Sequence, residues 1–249
     1  METIVPKTSD ALTALLRADF TTQWRNRRSS VLVLLVPVII LISWKGIIDK
    51  VGGAFVLSSC VTIGLIAIGL MGYSNAIARD RDKGVFQRLR ATPVPSWAIM
   101  VSRLIVQLVM IILLTALVFL AGYYYDGIII PPIGYLLGFT AAIVGGALYL
   151  GLGQMIVGLL KNAETVNSTT RLVYFVFIMV GMLGEFGLFG EGIKNSVQWS
   201  PYGTVKNILS ASMTPSTWNN RTFIALLITI VYAVVFSFLG IKKFKWSSK

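Results

Sequence analysis

Long charge-free runs of apolar residues dominate the chain. A helix needs about 20 such residues to cross the hydrocarbon of a bilayer. The runs at 51–78, 98–125 (uncharged from 104) and 222–241 meet that length. A fourth run opens with Pro131 and Pro132, which favour a turn over a helix interior, so its span is placed at 133–160. Two blocks are weaker. The stretch 31–44 is uncharged but short, and reaches 29–48 only if Lys45 snorkels outward. The stretch 172–190 carries Glu185 near one end. Together they predict an all-α polytopic membrane protein, with residues 1–249 forming one domain of six spans and both termini on one side.

The basic residues support that topology. Of the 22 Lys and Arg, only Lys45, Lys50, Lys194, Lys206 and Arg221 fall on the side away from the termini. The positive-inside rule makes the richer side cytoplasmic and places the chain in the cell (inner) membrane. It also accounts for a net charge of +12 without nucleic acid.

Residues 1–10 hold no apolar core of a cleaved signal, so none is expected. Over 10–28, Leu12, Leu15, Leu16, Phe20 and Trp24 recur at helical spacing, with Ser9 or Asp10 available as a cap. Arg17, Thr21, Arg25 and Arg28 take the other side. This amphipathic helix is expected in the inner interface, as a membrane anchor or a docking element. Span four is rich in glycine, with Gly134, Gly138, Gly145, Gly146, Gly151, Gly153 and Gly158, and is expected to pack closely among other helices.

Composition narrows the chemistry. The chain is 55% hydrophobic and 13% charged, with a mean hydropathy of +0.77. It contains no histidine, which removes imidazole relays and His-based triads. Cys60 is the single cysteine, so no internal disulfide forms, and it reads as a small buried hydrophobe. No Gly-x-x-x-x-Gly-Lys-Ser/Thr occurs; the stretch from Gly187 to Lys194 has the wrong spacing. An intramembrane enzyme lacks convergent acid and base groups, and an ion-coupled carrier lacks ionisable groups at mid-span.

The informative segment is the loop 79–97. Asp80 or Asp82 can cap a short helix whose apolar stripe is Val85, Phe86 and Leu89, with Pro93 and Pro95 ending it. Such a helix suits a protein-docking knob; the alternative is a solvated loop.

The run Asp-Arg-Asp-Lys-Gly-Val-Phe-Gln-Arg-Leu-Arg-Ala-Thr-Pro-Val-Pro at 80–95 resembles the loop of type-2 ABC exporter permeases. That family shows an acidic residue, then Gly-Thr-Leu-Glu-Arg-Leu and a small residue before Pro; Val85, Phe86 and Gln87 depart from Thr-Leu-Glu. The amphipathic start, the six spans and the segment Trp199-Ser-Pro-Tyr-Gly-Thr204 before the last span agree with it.

The resemblance implies a permease that pairs with a second copy or a paralogue and docks two cytoplasmic ATP-binding subunits. ATP and Mg would sit on those partners, with no cofactor on this chain. The implied docking surface holds Arg17, Arg25, Arg79, Asp80, Asp82 and Lys83, together with Gly84, Val85, Phe86, Arg88, Leu89 and Arg90. Spans two and five would line the pathway, with Ser58, Thr62, Phe175, Met179 and Met182 facing it and short outer helices closing the exit. Methionine and aromatic side chains suit an amphiphilic cargo such as a drug, antimicrobial peptide or lipid. Independently of the resemblance, Glu185 lies near the outer end of its span, where it could reach headgroup water, bind a cationic cargo, or pair with Lys194 or Arg221.

Overall fold

The computed structural model describes residues 8–25, 27–92 and 94–245, and among these it contains helices and turns but no strand. Helix α1 covers Thr8–Arg25 and α2 covers Arg27–Ser43. A short turn at Lys45–Ile47 leads into α3, Ile48–Val51. Next come α4 at Gly53–Ile66 and α5 at Asn75–Asp82, joined without a break by a π-helical stretch, Ala67–Ser74. Then follow α6 (Val85–Arg90), α7 (Ser96–Asp126), α8 (Pro132–Leu159) and α9 (Ala163–Glu185). The last three are α10 (Glu191–Val197), α11 (Pro201–Met213) and α12 (Asn220–Lys243).

Among the described residues, five stretches are long and apolar enough to cross a membrane: Gly53–Asp82, Trp97–Asp126, Pro132–Leu159, Ala163–Glu185 and Asn220–Lys243; the bent pair Thr8–Arg25 and Ser30–Ser43, counted together, would make six. The expected first span ends early. α2 stops at Ser43, and Lys45 does not snorkel freely but donates from Nζ to the Tyr125 carbonyl at 3.3 Å. The expected fifth span starts early, because Asn162 caps α9 by accepting from the Glu164 amide at 2.8 Å.

The second span, expected over 51–78, runs on through Asp82 and forms the axis of the bundle. All residues from Val56 to Leu70 are buried. Its π-helical stretch lies against α8, where a Cβ on Gly69 would stand 2.5 Å from the Tyr149 carbonyl carbon. Only glycine allows two backbones that close, and in lipid such packing replaces the hydrophobic drive for association. The glycine-rich α8 packs on both sides: Gly153 sits against the Gly69 carbonyl, and Gly158 against Gly240 of α12.

The amphipathic helix divides its apolar residues between two faces. Leu12, Leu15 and Leu16 are half-buried, and α1 packs against α7. Phe20 and Trp24 instead stay on the exposed side, Trp24 at 74%. Ser9 and Asp10 lie inside the first turn rather than before it. Residue 26 and the Arg28 side chain lie outside the described set.

One end of the bundle collects α1, the turns between α5 and α6 and between α8 and α9, and the residues after α12. There the Phe86 ring meets Phe244 edge-on at a centroid distance of 6.0 Å. This end carries most of the described Lys and Arg and is called the basic end below. At the opposite end α11 packs among α4, α8, α9 and α12, while α10 lies exposed against α9 and turns inward only at Val197.

Candidate functional site

At the basic end a single guanidinium holds three elements together. Arg103, in the second turn of α7, reaches Asp19 of α1 with Nε at 3.0 Å and Asp80 of α5 with Nη1 at 2.5 Å. The Ser102 hydroxyl donates to the other oxygen of Asp19 at 2.5 Å. Burial pushes the Asp19 carboxyl above its ordinary value, while Arg103 and Ser102 pull it back. The same guanidinium lies over the Phe86 ring, 5.9 Å from its centre.

The next two residues serve the neighbouring pair of helices. Arg81 is buried and donates to the carbonyls of Val157, Leu160 and Lys161, each at 2.7 Å. A cation there meets the negative end of α8. The Asp82 carboxylate accepts from the Ala163 amide at 3.1 Å, and so meets the positive start of α9. Adjacent residues of opposite sign thus cap consecutive helix ends of opposite sign.

The expected cap of α6 is therefore not made by Asp80 or Asp82. Gly84 occupies that position with φ +67°, and Arg88 closes the turn by donating to the Lys83 carbonyl at 3.1 Å. Of the expected terminators, Pro95 directly precedes α7, whereas Pro93 lies outside the described residues. The apolar stripe of α6 faces inward: Phe86 is fully buried, and Val85 and Leu89 are half-buried. Asp82, Lys83, Arg88 and Arg90 face solvent, as do Arg79, Arg17 and Arg25. Asp80 and Gly84 are intermediate. A cleft of about 350 Å³ between α1 and α5 is lined by Asp19, Arg25, Arg79, Asp80, Lys83 and Arg103.

The expected pathway residues do not share one surface. Ser58 and Thr62 are enclosed in the bundle and donate to their own helix, at the Phe55 and Ser58 carbonyls. Phe175 projects from α9, with Met179 and Met182 half-buried on the same helix.

Glu185 pairs with neither Lys194 nor Arg221. Its Oε1 accepts a short hydrogen bond from Lys206 of α11, and the Lys206 ammonium also stands 3.1 Å from the centre of the Phe55 ring. Lys194 pairs instead with Glu191, one turn away at 3.1 Å.

This pairing follows from the path of α10 and α11. The Tyr149 hydroxyl donates to the Pro201 carbonyl at 3.0 Å, and the Tyr232 hydroxyl to the Trp199 carbonyl at 3.2 Å. Tyr232 lies well inside α12, roughly 18 Å from its start at 1.5 Å per residue. The turn between α10 and α11 therefore enters the bundle and returns. Around it lies a chamber of about 610 Å³ lined by Phe55, Glu185, Lys194, Lys206, Asn207 and Arg221.

In the sequence pattern Arg81 and Lys206 stand only as charges that set topology, and Asp19 and Ser102 have no expected role. Asp19 did leave a signal, since it falls at helical spacing from Leu15 and Leu16, where an apolar residue belongs.

Comparison with known proteins adds two findings. The family model described as ABC-2 type transporter matches residues 10–183, from α1 into α9, ending just before Glu185. The Bacillus subtilis (strain 168) protein named "Putative transport permease YvfS" is 23% identical over 226 residues, covering 87% of this chain and 89% of that protein.

Proposed function

The chain belongs to the ABC-2 type transporter family as a membrane permease, and on that premise we propose that it works as an exporter of an amphiphile, driven by separate ATP-binding subunits. The basic end faces the cytoplasm, as the excess of Lys and Arg there requires. Two ATP-binding subunits, carrying ATP and Mg, dock on the exposed Lys83, Arg88 and Arg90 of α6 and its approach, beside Arg17 and Arg25 of α1. A second permease, identical or related, completes the pathway.

One observation carries this reading: the segment from Asp80 to Phe86 is tied to every helix around it. A partner pressing on α6 moves Phe86 and Asp80, and with them Arg103 on α7 and Asp19 on α1. Arg81 and Asp82 pass the same displacement to the facing ends of α8 and α9. The second span continues directly into this segment, so nucleotide-driven closure of the partners acts on the bundle axis. An alternating exporter needs such a two-state element, biased by partner contacts. The hairpin of α10 and α11 closes the outer exit in the state with Lys206 on Glu185.

The test is co-purification with the ATP-binding subunit and cargo-dependent ATP hydrolysis in the reconstituted complex. Lys83→Glu combined with Arg88→Glu reverses two exposed charges and leaves the ties of Asp80, Arg81 and Asp82 in place, at the loss of the Arg88 bond to the Lys83 carbonyl. Association should weaken by roughly tenfold or more. Unchanged association and hydrolysis in that double variant would remove α6 from the docking surface.

A further inference from the structure

We propose that the far-end chamber is a headgroup site for a zwitterionic amphiphile whose head carries both an acidic group and an N–H donor. This rests on the export reading, under which a chamber beside the exit hairpin lies on the cargo's route.

The charges of the chamber leave one unmatched group of each kind. Glu191 is taken by Lys194 and one oxygen of Glu185 by Lys206. Arg221, exposed at the start of α12, then remains on the wall with no carboxylate partner among the described residues. The second oxygen of Glu185 is buried and receives no hydrogen bond. A buried carboxylate oxygen without a donor is costly and calls for a partner.

A ligand matched to this wall places its anion at Arg221 and its donor at the Glu185 carboxylate, whose second oxygen is covered until the side chain turns toward the chamber. An anion without a donor satisfies only the first. A cation without an acid satisfies the second but meets Arg221 and Lys206 unshielded. A quaternary ammonium has the right charge but no N–H to give. The tail has a surface as well. Phe186, which packs on Phe55 at 5.7 Å, continues into exposed Leu188 and Phe189 beside the chamber.

The experiment titrates the full-length permease, in phosphatidylcholine nanodiscs without nucleotide or partner, with three soluble dihexanoyl lipids. They are the phosphatidylethanolamine, the phosphatidylcholine and the phosphatidic acid, and binding is read from tryptophan fluorescence. The phosphatidylethanolamine should bind at least about tenfold more tightly than either of the others, the worth of one charged hydrogen bond. Glu185→Gln disturbs the buried pair and can unfold the region, so the deciding variant is Arg221→Gln, which leaves that pair intact. It should weaken all three lipids, which share the phosphate, by roughly tenfold at an unchanged thermal midpoint, while the preference set at Glu185 persists. Equal binding of the three lipids, tightest binding of the phosphatidic acid, absence of any binding, or an unaffected Arg221→Gln variant would each overturn the proposal. Failure to associate with an ATP-binding subunit would overturn the export reading instead, because the titration uses neither partner nor nucleotide.

Discussion

The Arg81 guanidinium donates to the Val157 carbonyl at 2.7 Å, joining two helix ends 76 positions apart in the chain. Arg81 is only 1% exposed, yet among the described residues it meets no carboxylate in a salt bridge. Its charge is stabilised by three carbonyls at the negative end of α8. A basic residue counted for topology thus also fastens the turn between α5 and α6 to the bundle.

Replacing Arg81 with Met should therefore cost more than an ordinary surface charge. Three carbonyls lose their donors at once, a loss of roughly 2–4 kcal/mol. Thermal unfolding of the purified permease measures it. Arg81→Lys should recover only part, because a single ammonium cannot reproduce the fork that reaches Val157, Leu160 and Lys161.

The Asp19 tie to Arg103 should be sensitive to acid. Its carboxyl is raised above 3.8, so the folded protein takes up this proton at a higher pH than the unfolded chain does. The group's contribution to global stability is thus fully present below 3.8 and falls as pH rises through the raised value. The docking of α1 follows the same linkage, since an undocked α1 returns Asp19 to water and to its ordinary value. Protection of α1 from hydrogen exchange, corrected for the intrinsic rate, should therefore rise as pH falls through the raised value, while the spans keep theirs. Asp19→Asn, uncharged at every pH, should show that higher protection already at neutral pH and lose the pH response. A wild-type α1 whose protection ignores pH would remove Asp19 from this role.

The spans were legible because lipid imposes a simple rule. Charge-free runs of about 20 residues have few other uses, and Pro131–Pro132 marked the start of α8 within a residue. The glycines of α8 likewise announced close packing, and Gly153 and Gly158 do meet the backbones of neighbouring helices. The sites were less legible, since their partners are remote in the chain. The three carbonyls that hold Arg81 belong to no side-chain pattern. The α6 stripe showed an apolar face without showing whether bundle or partner covers it, and Phe86 proves to face the bundle. Lys206 was counted as a charge beyond the far end; the packing of α11 among the spans carries it inward to Glu185.

The π-helical stretch offers a paired test of close packing. Gly69→Val places its branched side chain against the Tyr149 backbone, which has no flexible atom to move aside. It should cost about 1–3 kcal/mol, as overpacking does. Gly72→Ala, three positions on, finds its nearest neighbours at 3.8 Å and should be neutral or slightly stabilising. Equal thermal midpoints for the two variants would show that α8 does not pack against this stretch as tightly as described.

The Lys206–Glu185 pair distinguishes a stabilising contact from a specifying one. Lys206 is 3% exposed, so its charge has left water and is compensated by one carboxylate and the Phe55 ring. Lys206→Met strands a carboxylate, and Glu185→Gln strands an ammonium. Each should lower stability by roughly 3–5 kcal/mol, because a buried charge without its partner is the expensive state. The double variant, Lys206→Met with Glu185→Gln, removes both charges and should regain most of that loss. On the proposed export reading, in which the pair holds the α10–α11 hairpin shut, the double variant should also hydrolyse ATP in the reconstituted complex with weaker dependence on cargo. Normal stability with lost cargo control assigns the pair to gating, whereas normal stability with intact cargo control reduces it to packing. A double variant no more stable than the singles would mean that Phe55 and the surrounding wall depend on the Lys206 ammonium itself.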